Sequence, residues 1–256
     1  SGSSKDTFYK LATNKGWDIE TLNKLGLINK VNENVYDTFI NRIVIPIENL
    51  KGEVVGFTGR IFNGEDNTAK YLNTKETEIF KKSSLLFNYH NAKNYIRDRK
   101  SVIVVEGNMD AIKMSAKGFK NVVALMGVAL SNEQIDILKR LKVPVILMLD
   151  NDNAGEEATI KNGESLINSG VDIKVVRLSG AKDPDEYLEK FGIDAMQNNI
   201  DKAIKYIDFK IECLKKDKDL SNMEDLITYV KEVINSINGE DDLTKEIILS
   251  KISKDY

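Results

Sequence analysis

The chain has 256 residues, of which 41% are apolar, so it can bury the core of one compact domain or of two small ones. It carries 37 Lys and Arg residues against 40 Asp and Glu residues, and the net charge of −3 excludes a uniformly basic coat for nucleic acid. One Cys and one His exclude a zinc ribbon, a His-rich metal centre and a disulfide framework, so any metal must be held by oxygen atoms. No apolar run approaches the roughly 18 residues of a membrane span, and the polar start is unlike a signal peptide. We therefore expect a cytoplasmic protein with no membrane partner.

The first part of the chain predicts helices followed by an antiparallel hairpin. Residues 5–35 carry apolar residues at roughly helical spacing, broken by Gly16 and Gly26, and predict short packed helices. Residues 43–47 and 54–58 are rich in β-branched and apolar side chains and flank a turn-like segment, which predicts two paired strands. Residues 36–100 carry a positive net charge and residues 101–256 a negative one. This pattern fits a protein that holds polyanions with one part and cations with another, or simply a solvated surface with scattered charges.

From residue 101 the pattern changes to strands that alternate with helices. Short runs rich in Val, Ile and Leu occupy 102–105, 121–125, 143–149 and 173–178. Helix-compatible stretches follow them at about 109–117, 131–141, 154–169 and 184–191. This order predicts a parallel sheet covered by helices on both faces. The segment from about 193 to 256 is amphipathic and charged, and it predicts further helices.

Carboxylates follow three of the four predicted strands, at the edge where a parallel sheet places its functional groups. Residues two apart in an extended segment point the same way, so such a pair can offer oxygens to one cation. Mg²⁺ or Mn²⁺ would relieve the repulsion between the carboxylates and still accept phosphate oxygens. Taken singly, each motif has a simpler interpretation as a solvated turn, a helix N-cap, a helix start with proline, or a strand exit. The carboxylates are Glu106, Asp150, Asp152, Asp183 and Asp185.

The order of these motifs resembles a known fold, TOPRIM, which has Glu-Gly after its first strand and Asp-x-Asp after its third. Here these motifs are Glu106-Gly107 and Asp150-Asn151-Asp152. The TOPRIM pattern alone leaves topoisomerases, recombination mediators, nucleases and primases open. Further segments narrow the choice, because over residues 36–192 the chain resembles the RNA-polymerase core of bacterial DnaG-type primases. These segments are 42–48, 56–60, 70–73, 76–77, 79–82, 106–110, Gly127 with Ala129 and Leu130, 150–155 and 183–186.

The resemblance implies an α/β fold with a TOPRIM parallel-sheet core, an N-terminal α+β subdomain and a C-terminal helical segment. We place the boundaries at 1–98 for the basic α+β part, 99–192 for the metal-binding TOPRIM part and 193–256 for the helical part. The implied activity is a DNA-directed RNA polymerase that makes short RNA primers on single-stranded DNA from ribonucleoside triphosphates by two-metal nucleotidyl transfer. The implied setting is the bacterial replication fork, with Mg²⁺ or Mn²⁺ as cofactor and without zinc, because the zinc module of the family needs more cysteines.

The resemblance also assigns roles to residues. It implies catalytic roles for Glu106, Asp150 and Asp152, and metal binding by these three together with Asp183 and Asp185. Because these carboxylates repel one another, we expect Asp152→Ala to leave the fold intact or slightly stabilised without metal. Nucleotide or template binding is implied for Arg42, Arg60, Lys70, Asn73 and Lys82, with Lys81 an equal alternative to Lys82.

Further expectations concern partners and departures from the family pattern. We expect a monomer, with the replicative helicase bound through parts of the protein absent from this chain. Asn108 stands where the family usually has an aromatic residue, and Val128 where Thr is usual. Asn151 replaces the usual Gly, and the turn is expected to survive because Asn tolerates a left-handed backbone. Tyr71 is expected in the core rather than stacked on a base. The alternatives are a TOPRIM nuclease or topoisomerase-like DNA-cleaving protein, and a non-catalytic binding module.

Overall fold

The computed structural model describes residue 2, residues 4–62 and residues 69–256. The chain forms two compact units, Ser1–Val143 and Pro144–Tyr256. Each unit contains a pair of parallel strands with helices after them, so the predicted α/β class is confirmed. The three-part division at residues 98 and 192 stays a prediction. Among the described residues, no helix is long and apolar enough to cross a membrane.

The first unit begins with two short helices and a hairpin. Helices α1 (Thr7–Asn14) and α2 (Ile19–Lys24) confirm the helical prediction, but residues 28–37 form strands, so that prediction was wrong for its last part. Strands β1 (Ile28–Val31) and β2 (Asn34–Asp37) pair antiparallel. The reason is local, because Asn32 takes a positive φ of 57° and reverses the chain, a conformation that Asn tolerates better than most residues.

A buried carboxylate joins this hairpin to α1. Asp37, at the end of β2, is 4% exposed. Its two oxygens accept hydrogen bonds from the backbone N–H groups of Phe8 and Tyr9, at 2.7 and 2.8 Å. These N–H groups lie in the first turn of α1, where no intrahelical acceptor exists. Asp37 therefore caps a helix that is distant in sequence, which residue spacing alone does not reveal.

A three-stranded antiparallel sheet follows, consisting of β3 (Arg42–Glu48), β4 (Val54–Ile61) and β5 (Tyr71–Asn73). The predicted hairpin of β3 and β4 is confirmed, and β5 was not anticipated. Arg60 of β4 lies opposite Tyr71, and Thr58 lies opposite Asn73. Directly opposed residues share one face of a sheet, and so do residues two apart. Arg60, Tyr71 and Asn73 therefore share a face.

The remainder of the first unit follows the predicted alternation. A 3₁₀ helix (Lys82–Ser84) and α3 (Tyr89–Arg99) lead into β6 (Val102–Val105), α4 (Asn108–Ala116), β7 (Val122–Ala124) and α5 (Asn132–Leu141). Strands β6 and β7 pair in parallel, and every residue in both is buried. This explains their uninterrupted apolar runs, because a strand covered on both faces has no polar side.

The second unit repeats the predicted alternation and ends in helices as predicted, except that residues 204–205 of the segment predicted to be helical form a strand. Strands β8 (Val145–Leu147) and β9 (Ile173–Val175) pair in parallel, and the short β10 (Ile204–Lys205) is antiparallel to β9. Helix α6 (Asn153–Asn168) follows β8, and α7 (Pro184–Asp201) follows β9 with a kink at Gly192, where φ is 81°. Helices α8 (Tyr206–Leu214), α9 (Met223–Ser236) and α10 (Asp242–Asp255) enclose an apolar cluster. The cluster contains Ile207, Tyr229, Val233, Ile237, Ile248 and Ile252.

A buried glutamine fixes the loops around α5. Gln134 is 2% exposed and completes a capping box with Ser131 at the start of the helix. Its side-chain amide donates to the carbonyl oxygens of Leu85 at 2.7 Å, Leu125 at 3.1 Å and Lys82 at 3.3 Å. One neutral side chain thus donates to carbonyls of two separate segments, 82–85 and the end of β7, and buried backbone carbonyls require such donors.

We predict that Gln134→Ala lowers the free energy of unfolding by about 2 to 3 kcal/mol, because it leaves buried carbonyls without their donor. The measurement is urea denaturation followed by circular dichroism. Gln197→Ala is the matched control, since Gln197 is a helical glutamine whose hydrogen bond to Asp201 lies at the surface. The control is expected to change stability by less than about 0.5 kcal/mol. Equal stability of the two variants would contradict the role of Gln134.

Candidate functional site

Two of the predicted metal-binding aspartates are helix N-caps in the second unit. Asp152 precedes α6, and one of its carboxylate oxygens accepts a hydrogen bond from the Gly155 N–H at 2.7 Å. Asp183 precedes α7 and accepts from the Glu186 N–H at 2.7 Å. The N-cap interpretation of both motifs is therefore correct. It is compatible with metal binding, because each cap uses one oxygen (Oδ1) and holds the carboxylate in a fixed orientation.

The Asp150–Asp152 loop lies close against the first turn of α6. A Cβ atom at position 155 would clash with the carbonyl oxygen of Asp150, so the loop requires glycine there. Pro184 stands at the first position of α7, where its missing N–H is not needed. Both strand-to-helix connections in this unit are thus held by local sequence.

Asn151 joins the two acidic loops of this unit. Its backbone N–H donates to the Lys182 carbonyl at 2.7 Å, and its side-chain amide donates to the carbonyls of Leu178 and Ala181 at 3.2 and 3.3 Å. Asn151 does not adopt a positive φ. The expectation that Asn serves here through a left-handed backbone was therefore wrong, and its side chain supplies the reason for its presence.

The donor atoms of this region fit a hard divalent cation. Carboxylate oxygens are the ligands that Mg²⁺ and Mn²⁺ take, and Mg²⁺ commonly uses one or two carboxylates together with water and phosphate oxygens. Within the described residues, no group of three or more His, Cys, Asp or Glu side chains forms a metal cage. The second unit therefore offers paired carboxylates rather than a cage, from Asp150, Asp152, Asp183 and Asp185.

Glu106 lies in the first unit, between β6 and α4. It is half-buried, and Gly107 after it is the N-cap of α4. A Cβ at position 107 would meet only the carboxylate of Asp110, the end of a side chain that can shift, so the Glu-Gly pair matches the motif without being required by packing. The Oδ1 atom of Asn108 is buried without a hydrogen-bond partner in the described part of the chain. An unsatisfied acceptor is costly, so this atom marks a position for a donor from water or a ligand.

An aromatic ring flanked by two cations lies on β5 of the first unit. The Arg60 guanidinium carbon is 6.0 Å from the centroid of the Tyr71 ring, and Lys70 Nζ is 5.6 Å from it. Tyr71 is 43% exposed, so the expectation that it belongs to the core was wrong. An exposed ring beside cations is the combination that binds single-stranded nucleic acid, since bases stack on the ring and phosphates meet the cations.

Asn73 and Arg42 differ in what they offer to a ligand. The Oδ1 atom of Asn73 is buried and has no hydrogen-bond partner among the residues that the structure describes, which leaves an acceptor for a ligand donor. Arg42 is 6% exposed. Its guanidinium donates to the carbonyls of Gly59 at 3.1 Å and Ala69 at 2.8 Å. This geometry favours a role for Arg42 in holding the segment that leads to Lys70.

Lys82 is held through its backbone and leaves its side chain half-buried. Its carbonyl accepts from Gln134 Nε2 at 3.3 Å, and its N–H donates to the carboxylate of Glu76 at 3.2 Å. Lys81 beside it is exposed. The structure thus gives Lys82 the more defined position of the two lysines, and its binding role remains a prediction.

A charged network that the sequence did not predict lies beside the acidic loops of the second unit. Arg177 lies 3.6 Å from Glu156 and 3.6 Å from Glu212, and its guanidinium carbon is 4.6 Å from the Phe209 ring centroid. The Cys213 sulfur is 3.3 Å from Arg177, and burial, with the nearby Glu156 charge, raises the pKa of this thiol to about 11. A single arginine after a strand carries no motif, so nothing in the sequence indicated the network.

Family models match two successive parts of the chain. The family model described as the N-terminal domain of the DNA primase catalytic core matches residues 1–93, and the one described as Toprim-like matches residues 103–188. The chain is 38% identical over 256 residues to a DNA primase of Clostridium acetobutylicum. The alignment covers 98% of this chain and 42% of that protein. The chain thus spans less than half of this curated relative.

Solved structures are similar to the chain along most of its length. The RNA polymerase domain of Mycobacterium tuberculosis primase DnaG, solved with double-stranded DNA, has a TM-score of 0.83 and 28% identity. The similarity covers 99% of the chain and 82% of that domain. A DnaG primase catalytic domain bound to single-stranded DNA has a TM-score of 0.76 and 28% identity, over 91% of this chain and 74% of that one.

The cap at Asp152 changes the expected outcome of its replacement. Asp152→Ala removes the hydrogen bond to Gly155, so we now predict a loss of about 1 kcal/mol of stability in metal-free buffer rather than a gain. Asp152→Asn keeps an N-cap and removes the charge, so it is expected to be as stable as the wild type or slightly more stable. Thermal unfolding in EDTA measures both. If Asp152→Ala is the more stable variant, repulsion outweighs the cap and this ranking is wrong.

Proposed function

We propose that this chain, which carries the N-terminal catalytic-core and Toprim-like domains of a DnaG-type primase, joins ribonucleoside triphosphates into short RNA primers on single-stranded DNA. The observation that carries the proposal is its similarity to primases along both units. The paired, oriented carboxylates of the second unit and the exposed aromatic and cationic face of the first unit support it. Each supplies one of the two requirements of a template-directed polymerase, a site for phosphoryl chemistry and a surface for a single strand.

The acidic loops of the second unit would hold Mg²⁺ or Mn²⁺. Such a cation, when bound, neutralises the charge of a triphosphate and its leaving pyrophosphate and lowers the pKa of an attacking hydroxyl. The protein's role is to hold carboxylate oxygens in a fixed orientation, so that the loops need not rearrange when the cation binds. The caps of Asp152 and Asp183 do this, since each uses Oδ1 of a carboxylate that a helix already orients. The Oδ2 atom of Asp183 lies 3.8 Å from Lys182 Nζ, an exposed lysine that a metal ion would displace. The catalytic role of Glu106 rests on its motif and stays a prediction.

The first unit would bind the template or the nucleotide. The Tyr71 ring offers a stacking surface that does not depend on base identity. Arg60 offers a planar pair of donors to phosphate, and Lys70 offers a point charge. The buried Oδ1 atom of Asn73 would accept a hydrogen bond from a base or a sugar hydroxyl. This bond would orient the bound nucleotide without adding a charge to the site.

The remaining partner and location assignments are predictions that follow from this function. A helicase contact through parts outside this chain, a monomeric state and action at the replication fork in the bacterial cytoplasm all belong to the proposal. A TOPRIM nuclease or topoisomerase-like DNA-cleaving protein would share the acidic loops, and a non-catalytic module would share the fold. Primer synthesis, strand cleavage and binding alone have different products, so one assay separates them.

The test is incorporation of labelled ribonucleoside triphosphates on single-stranded DNA with Mg²⁺ and then Mn²⁺. We expect a ladder of short RNA products from the wild type and a loss of more than about 100-fold in Asp152→Asn, because a ligand charge worth several kcal/mol to the transition state is removed. The Asn variant is the right comparison since it keeps the helix cap. Metal-dependent shortening of the DNA without RNA products would favour the nuclease, and synthesis by Asp152→Asn at the wild-type rate would refute the metal assignment.

The strand-binding face has a separate test by fluorescence anisotropy with a labelled single-stranded oligonucleotide. Tyr71→Ala is expected to weaken binding by about 1 to 3 kcal/mol, and Lys70→Ala to reduce the slope of log affinity against log salt by about 0.7. The matched controls are Tyr95→Ala and Lys120→Ala, because Lys120 Nζ lies 5.0 Å from the Tyr95 ring in the same unit. Equal losses in the control pair would show that the Tyr71 face has no special role.

A further inference from the structure

Asn151 stands between the two carboxylates of the Asp150–Asp152 loop and turns its polar groups toward the other acidic loop of the second unit. Its backbone N–H donates to Lys182 at 2.7 Å, and its side-chain amide donates to Leu178 at 3.2 Å and Ala181 at 3.3 Å. These three acceptors belong to the segment that connects β9 to Asp183. Asn151 is therefore bonded to the loop that carries the second pair of carboxylates.

The helix caps alone do not set the distance between the two loops. Asp152 is fixed on α6 and Asp183 on α7, so each carboxylate is oriented relative to its own helix. Ionised carboxylates on the two loops repel each other when no cation lies between them. A bond from one loop to the other opposes that separation, and a neutral amide provides it without adding a further negative charge.

The residue type matters at this position. A glycine, which the resembling family usually carries here, keeps the backbone bond to Lys182 and loses both side-chain bonds. An aspartate has the same shape as asparagine, but its oxygens cannot donate to the Leu178 and Ala181 carbonyls. Asparagine is the residue that both fits the turn and donates from its side chain.

We infer that Asn151 is a positioning residue that holds the Asp150–Asp152 loop against the Asp183 loop, so that the two loops are already joined when their carboxylates bind Mg²⁺ or Mn²⁺. The inference rests on the proposed function, because it takes these carboxylates to serve a cation. Hydrogen bonds from residues around a metal site commonly tune its affinity. The Asn151 side chain is exposed, so water competes for its hydrogen bonds. We therefore expect its replacement to change metal affinity less than the loss of a buried hydrogen bond would.

The experiment is a Mn²⁺ titration of the whole chain, in which electron paramagnetic resonance reports the free ion. Asn151→Ala is expected to raise the Mn²⁺ dissociation constant about fivefold to tenfold. Asn151→Asp is also expected to weaken binding, although it adds a negative charge. The matched control is Asn199→Ala, because Asn199 makes the same type of bond, from its amide to the Arg177 carbonyl at 3.1 Å. The control is expected to bind Mn²⁺ as the wild type does.

Thermal unfolding in EDTA distinguishes positioning from general stability. A positioning role predicts that Asn151→Ala and Asn199→Ala unfold at similar temperatures while their Mn²⁺ affinities differ. Wild-type affinity in Asn151→Ala would overturn the inference and leave the metal site standing. Tighter binding by Asn151→Asp would overturn it as well, because local charge would then govern affinity. If the wild type binds no Mn²⁺, the metal site fails and this inference fails with it.

Discussion

The hydrogen bond between an aspartate and the first turn of the helix that follows it is the interaction on which the acidic region depends. It occurs twice in the second unit, at Asp152 with Gly155 and at Asp183 with Glu186, both at 2.7 Å. The N-terminus of a helix favours negative charge, so these are places where a carboxylate is stable before any cation is present. A group that is already fixed loses little freedom on binding, and the capped carboxylates therefore suit a site that must bind repeatedly.

Other polar side chains hold the loops by donating hydrogen bonds to backbone carbonyls. Gln134 gathers carbonyls around α5, and Arg42 gathers carbonyls beside β4 in the first unit. Asn151 does this between the acidic loops of the second unit. Buried carbonyls must be satisfied, and a side chain that satisfies several at once limits where the loops can move. The candidate binding residues Lys70 and Lys82 lie in segments positioned by such contacts.

Most strands and helices from residue 102 onward could be predicted because each of them carries a strong local pattern. Fully buried strands have uninterrupted apolar runs, and the capping residues mark where helices begin. Strands β1, β2, β5 and β10 were missed, since they are short and their pairing depends on turns and neighbours rather than on alternation. A single residue such as Asn32, with its positive φ, decides whether a segment folds back.

The candidate site was predictable in its residue types and less so in its contacts. Motif order singled out the carboxylates, and the simpler interpretation of the same motifs as helix starts was also correct for Asp152 and Asp183. Exposure reversed the expectation for Tyr71, and burial changed the interpretation of Arg42. These outcomes depend on which residues lie opposite each other across strands and loops, and the spacing along the chain does not encode that.

Helix capping by itself does not account for the acidic residues of the second unit. Asparagine caps a helix about as well as aspartate does, and it would do so without repulsion between neighbouring loops. Yet the chain has aspartate at both caps and again two residues away from each, with the neutral Asn151 placed where a bond between the loops is needed. A fold that needed only helix starts would gain from replacing these charges. Their presence on both sides of a neutral link therefore favours a cation as the partner that balances them.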